Sequence, residues 1–196
     1  DTTSVSVERF HQAFRVWNSP ASYQIASWIS IGESHWAVEK QIAHGDISDV
    51  YTGLRARWPT ELAIIKFLRN LNDREFFDNE WDSLQTLHAS NARGADTFTA
   101  LLPQPIVHGE ITAGSRAGAR VNVYRWLGGF RHTFEDVQRA YPQGIPPRAS
   151  IWIWRRILEM LSFIHRSDMV HGAVVPSHLL VQENEHGVML VGYSAA

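Results

Sequence analysis

Three β-forming segments follow one another almost without a gap. They are residues 36–42 (WAVEKQI), 47–54 (ISDVYTGL) and 61–68 (ELAIIKFL). His44, Gly45 and Asp46 separate the first from the second, with a glycine at the tip. Trp58, Pro59 and Thr60 separate the second from the third. Connections this short leave no room for a crossover, so the strands must run antiparallel as a meander. This run constrains the fold more than any other part of the chain.

Around it the pattern extends in both directions. Residues 73–89 carry helical spacing, and 105–111 and 121–126 read as two more strands, which gives a five-stranded sheet with one helix. After Gly128 and Gly129 the chain turns helical. Thr133 to Asp136 resembles a capping box, and 141–148 (YPQGIPPR) is a proline-rich loop. Residues 150–165 form the strongest helix, with Ile151, Trp154, Ile157, Leu158, Leu161 and Ile164 expected on one side. Two short strands, 179–181 and 188–191, flank a turn at 183–187. Ahead of the meander, Val7, Phe10, Phe14 and Trp17 suit a helix face that Asn18, Ser19 and Pro20 end. Residues 23–31 then read as a short strand or an irregular lead-in, and 32–34 as a turn. The expected division is an N-terminal extension over 1–35, a sheet lobe over 36–124 and a partial helical lobe over 125–196.

Composition narrows the function classes. Hydrophobic residues are 44% and charged residues 19% of the 196, ordinary for a globular domain. The net charge of −2 gives no general pull toward nucleic acid or anionic lipid, and neither is expected as a partner. No apolar run approaches the length that crosses a bilayer. With no cysteine there is no disulfide, thiolate metal site or cysteine nucleophile, and a cytoplasmic setting is expected. Eight tryptophans imply large aromatic anchors. Trp152 and Trp154 on the long helix read as packing or interface residues, and they mark a partner surface only if one of them is exposed.

Lys66 stands inside an apolar run and must either snorkel outward or find an anion. On the following helix Glu80 is the only charge in the stripe of Phe77, Leu84 and Leu87. Two readings are open. The pair answers each other's desolvation, or Lys66 is an edge residue in solvent and Glu80 sits at its helix rim. His171 and His178 are candidates for a transition metal, but with no evident third ligand structural hydrogen bonding is preferred, and no metal is expected.

Several short motifs occur in a consistent order. Residues 42–51 (IAHGDISDVY) resemble the glycine-rich loop of protein kinases, and 63–66 (AIIK) resemble the third-strand motif with its phosphate-holding lysine. Residues 123–129 (VYRWLGG) look like the kinase hinge, 170–181 (VHGAVVPSHLLV) the catalytic loop, and 190–194 (LVGYS) the metal-binding triplet. From about residue 36 to 194 the chain is similar to the protein-kinase-like superfamily, as a degenerate member of the bacterial Ser/Thr type. The resemblance implies an α+β fold, with a five-stranded antiparallel lobe with one helix and a truncated helical lobe. It also implies a vestigial nucleotide pocket of Lys66, Glu80, Val50, Ala63 and Val123.

The departures decide the expected function. Where a kinase carries its proton-accepting carboxylate stands Ala173, and where it carries two metal-ligating side chains stand His178 and Gly192. Ala43 and Ser48 replace glycines of the phosphate loop. The sequence therefore reads as a pseudokinase: not an enzyme, without cofactor, binding little or no magnesium nucleotide, and serving as a scaffold for a protein partner. Two alternatives stand beside it, an unusual active phosphotransferase and a metal-independent nucleotide-binding module. The His171-Gly172 pair also resembles the loop of antibiotic and choline kinases, which needs the same absent aspartate.

Overall fold

A computed structural model describes residues 27–57, 60–182 and 184–196. The helix expected over 5–17, the turn residues Trp58 and Pro59, and Glu183 lie outside the described residues. The chain divides into two compact units. One comprises the described residues through Leu71 together with Ile106–Trp126, and the other Asn72–Pro105 together with Leu127–Ala196.

The first unit is built on one antiparallel sheet. Its strands are β1 (Ser27–Ile31), β2 (Ser34–His44), β3 (Ser48–Arg55), β4 (Glu61–Leu68), β5 (Gln104–Glu110), β6 (Ala113–Gly114) and β7 (Arg120–Arg125), ordered β5-β7-β4-β3-β2-β1-β6. The meander is present as β2, β3 and β4, in register through Val38↔Gly53 and Gly53↔Ala63. The five-stranded lobe with one helix is corrected: the sheet has seven strands, and four α-helices are found among the described residues. The two added strands share one edge. β1 pairs with β2 along its whole length, and the two-residue β6 pairs with β1 at Ile29↔Gly114 and Ser30↔Ala113.

That pairing makes the sheet curl. β5 lies at one edge, yet two residues after it ends the chain is bonded to β1 near the other, where Thr112 N–H donates to Ser30 O at 2.8 Å. Two extended residues reach at most about 7 Å, so the two edges converge at this corner. Inside the curl Ile29, Trp36, Val38, Ile65, Phe67, Ile111 and Val121 form the core. Arg116 lies over its aromatic rim, 4.2 Å from the Phe67 ring centre and 4.9 Å from that of Tyr51, and donates to the Tyr51 hydroxyl at 2.9 Å.

The second unit holds α1 (Arg74–His88), α2 (Ala95–Phe98), α3 (Phe134–Ala140) and α4 (Pro147–Arg166). Beside them a three-stranded sheet is ordered β10-β9-β8, from β8 (His132–Thr133), β9 (Leu179–Gln182) and β10 (Gly187–Leu190). Thr133 caps α3 in a reciprocal box: its Oγ1 accepts from Asp136 N–H at 3.1 Å, and Asp136 Oδ2 accepts from Thr133 N–H at 2.9 Å. Proline opens α4 at its first position, where the missing N–H costs nothing. The side of α4 that packs inward is Ile153, Ile157, Met160, Phe163 and Ile164. The expected single face is corrected accordingly, since Ile151, Trp154 and Leu158 are exposed. Trp152 is half-buried edge-on against His186 in the β9–β10 turn, 4.8 Å between ring centres.

Candidate functional site

The residues expected to mark a degenerate catalytic centre gather in the second unit, around the backbone of Ala173. After α4 the chain runs through His171 and Ala173 to a single 3-10 turn, Pro176–His178, which leads into β9. The Ala173 N–H donates to His171 Nδ1 at 3.3 Å, and His178 Nδ1–H donates to the Ala173 carbonyl at 2.9 Å. One peptide segment is thus bracketed by two imidazoles. Val191 N–H donates to the His178 carbonyl at 2.9 Å and ties the end of β10 to the same loop.

The two histidines are in different states of exposure. His171 is fully buried and its Nε2 has no full hydrogen bond, although the Val191 backbone lies beside it. Burial, and then the nearby His178, push its pKa from 6.5 down to about 4, against weaker opposing pulls from Val191 and Glu80. His171 is therefore neutral near pH 7, with Nδ1 as acceptor and the proton on Nε2. His178 is half-buried. Both Nδ1 atoms point to the Ala173 backbone, so through these atoms the histidines lock a loop. No group of three or more His, Cys, Asp or Glu able to hold a metal occurs among the described residues.

Gly192 explains the other side of this arrangement. It is left-handed, φ 79° and ψ 57°, at the entry to the turn Tyr193–Ala195. A Cβ there would meet His178 Cε1 at 2.8 Å and both ring nitrogens at 2.9 Å. The His178 ring thus fills the space that any side chain at 192 would enter. Next to it Tyr193 is fully buried with its hydroxyl unpartnered, and its ring centre lies 4.5 Å from that of His171. Burial and the Glu80 carboxylate push the Tyr193 phenol well above its ordinary pKa, so it stays protonated.

Glu80 is buried on α1 in the stripe of Phe77, Leu84 and Leu87, and its charge acts on both His171 and Tyr193. Lys66 is half-buried on β4 of the first unit, while Glu80 belongs to the second. Within the first unit Val50 and Lys66 are direct cross-strand neighbours. Ala63 and Val123 lie on the opposite face, enclosed in the core of the curl. Alternation of side chains along β4 requires this, because Ala63 and Lys66 are an odd number of positions apart. The structure therefore gathers His171, Ala173, His178 and Gly192, sets Val50 beside Lys66, and separates Ala63 and Val123 from that pair.

Trp154, read in the sequence as an interface residue only if exposed, is exposed; sequence reasoning missed Tyr193 and the exposure of Ile151 and Leu158 beside Trp154. Tyr193 was adjacent to a position already singled out, and its signal was an aromatic beside a glycine. No helix among the described residues is long and apolar enough to cross a membrane. No family model matches the chain. No curated protein matches it either.

Proposed function

We propose that this chain is a non-catalytic scaffold that binds a protein partner in a cytoplasmic setting, and that it neither transfers phosphate nor depends on magnesium nucleotide. The observation that carries the reading is the His178 ring seated where a side chain at position 192 would stand. Phosphoryl transfer needs a carboxylate to orient the attacking hydroxyl and oxygen ligands to hold metal. Ala173 offers only backbone groups, and both are already bonded to imidazoles. His178 offers nitrogen, which magnesium takes poorly, and Gly192 offers nothing.

Two measurements test this. Incubation with radiolabelled ATP, with magnesium or manganese, is expected to leave no label on the protein or on generic protein substrates. Calorimetry is expected to show ATP binding that is weak or absent and unchanged by magnesium. Label incorporation abolished by Lys66→Met, or a tight magnesium-dependent isotherm, overturns the proposal.

A further inference from the structure

Helix α4 is apolar on two sides. One stripe is in the core of the second unit; the other, Ile151, Trp154 and Leu158, is 69%, 62% and 59% exposed. Spacings of three and four place these three in one line over two turns. Large side chains aligned in the open mark an interaction surface, not a core face.

The stripe forms one wall of a groove of about 640 Å³ that Phe98 of α2 also lines. Phe98 is held in place by stacking on Phe163, ring centres 5.5 Å apart, so the groove has a fixed apolar floor. Its rim is cationic. Arg155 and Arg166 line it with Glu159 as the one carboxylate, and α4 carries Arg148, Arg155, Arg156 and Arg166 against Glu159 alone, in a chain whose net charge is −2. The Glu159 carboxylate is already engaged, at 2.8 Å from both Arg155 Nε and Arg156 Nη1. Arg166 reaches the Ser162 hydroxyl at 2.7 Å.

We propose that this groove docks an acidic amphipathic helix of a protein partner. Its apolar side chains, spaced by three and four, would seat on Ile151, Trp154, Leu158 and Phe98, with Asp or Glu facing Arg155 and Arg166. Charge selects this occupant over a second copy of the chain. Two-fold pairing of α4 with itself sets four arginines and one glutamate against the same set, a net positive charge on each side that like-charge repulsion disfavours. The inference rests on the scaffold reading and deepens it by naming the chemistry of the partner.

The test titrates the full chain into a fluorescein-labelled helical peptide of about 14 residues, close to four turns. The peptide carries Leu and Phe at spacings of three and four and Glu elsewhere; its counterpart has Lys in place of every Glu. The Glu peptide is expected to bind at least about tenfold more tightly than the Lys peptide, and Trp154→Ala to weaken it about tenfold. Leu158→Ser and Arg166→Gln should each weaken it severalfold, and added salt should do the same. All three positions are exposed, and unchanged circular dichroism would confirm folding. Equal binding of the two peptides, no binding, or indifference to both Trp154→Ala and Leu158→Ser overturns the docking site. So does a dimer that Trp154→Ala disperses and the peptide does not, which would make the occupant a second copy. Failure of the peptide with no phosphate transfer overturns this inference alone. Phosphate transfer overturns the scaffold reading whatever the peptide does.

Discussion

Placing a carboxylate at position 192, by Gly192→Asp, is expected to destabilise the protein. The left-handed backbone at φ 79° costs a non-glycine residue about 1 kcal/mol, somewhat less for Asp than for Ala. The larger part comes from His178. Three atoms of its ring lie 2.8–2.9 Å from the new Cβ, so the ring must swing away. That breaks the Nδ1–H bond to the Ala173 carbonyl and leaves a part-buried acceptor unsatisfied, about 1–3 kcal/mol. The combined loss is about 2–4 kcal/mol. Urea denaturation followed by circular dichroism reads it as a midpoint lowered by about 1–2 M for a slope near 2 kcal/mol/M. In a His178→Ala background the clash is gone, and the same substitution should cost only about 1 kcal/mol. The resulting coupling of about 1–3 kcal/mol is the diagnostic quantity. A Gly192→Asp variant within about 0.5 kcal/mol of the parent, or an equal cost in both backgrounds, would refute the view that His178 occupies this space.

Two further outcomes follow from residues inside each unit. His171 has a folded pKa of about 4 against 6.5 unfolded, so the unfolded chain takes up its proton first as pH falls. Stability is complete above 6.5 and declines between there and about 4, by up to about 3 kcal/mol. An NMR titration placing the His171 ring near 6.5 would contradict this, as would a His171→Gln variant with an unchanged pH slope. In the first unit, Gly53→Ala drives a Cβ into Ile65 Cδ1 and sets it 2.7 Å from the Ala37 carbonyl oxygen, and neither the buried side chain nor the strand backbone can give way freely. A loss of about 2–3 kcal/mol is expected from overpacking, measured as a lowered thermal midpoint. A neutral effect would mean that β2 and β3 pack less closely than described.

The strands of the meander and the long helices are legible in the sequence because their apolar periods are strong and their breakers lie where the turns fall. The size of the sheet is not. β6 is two residues long, Ala113 and Gly114, and no periodicity exists over so short a stretch. β1 has pattern enough for a strand, but only pairing with β2 shows that it belongs to the same sheet. The inward side of α4 is ambiguous for another reason. With apolar residues at Ile151, Trp154 and Leu158 as well as Ile153, Ile157 and Met160, the sequence offers two stripes and no rule for choosing between them. The division of Ala63 from Lys66 was legible, since strand alternation sets residues three apart on opposite faces. A motif match weighs residue type and passes over that period. The seating of His178 against Gly192 depends on how β9 and β10 return to the loop, which local patterns do not carry.

The pairing of β6 with β1 also governs the order in which the molecule comes into being. Thr112 and Ser30, bonded in the finished sheet, are 82 positions apart. On a ribosome adding about 5–20 residues per second, β1 waits about 4–16 s for the segment that closes on it. During that wait the first stretch of the second unit, from Asn72, has already been made, while the first unit still lacks the residues through Trp126. The two units are interleaved along the chain, so no single cut releases either one whole. Proteolytic nicking between residues 72 and 105 would therefore leave fragments that each lack part of a core, and complementation of the nicked halves should succeed only when both are present together.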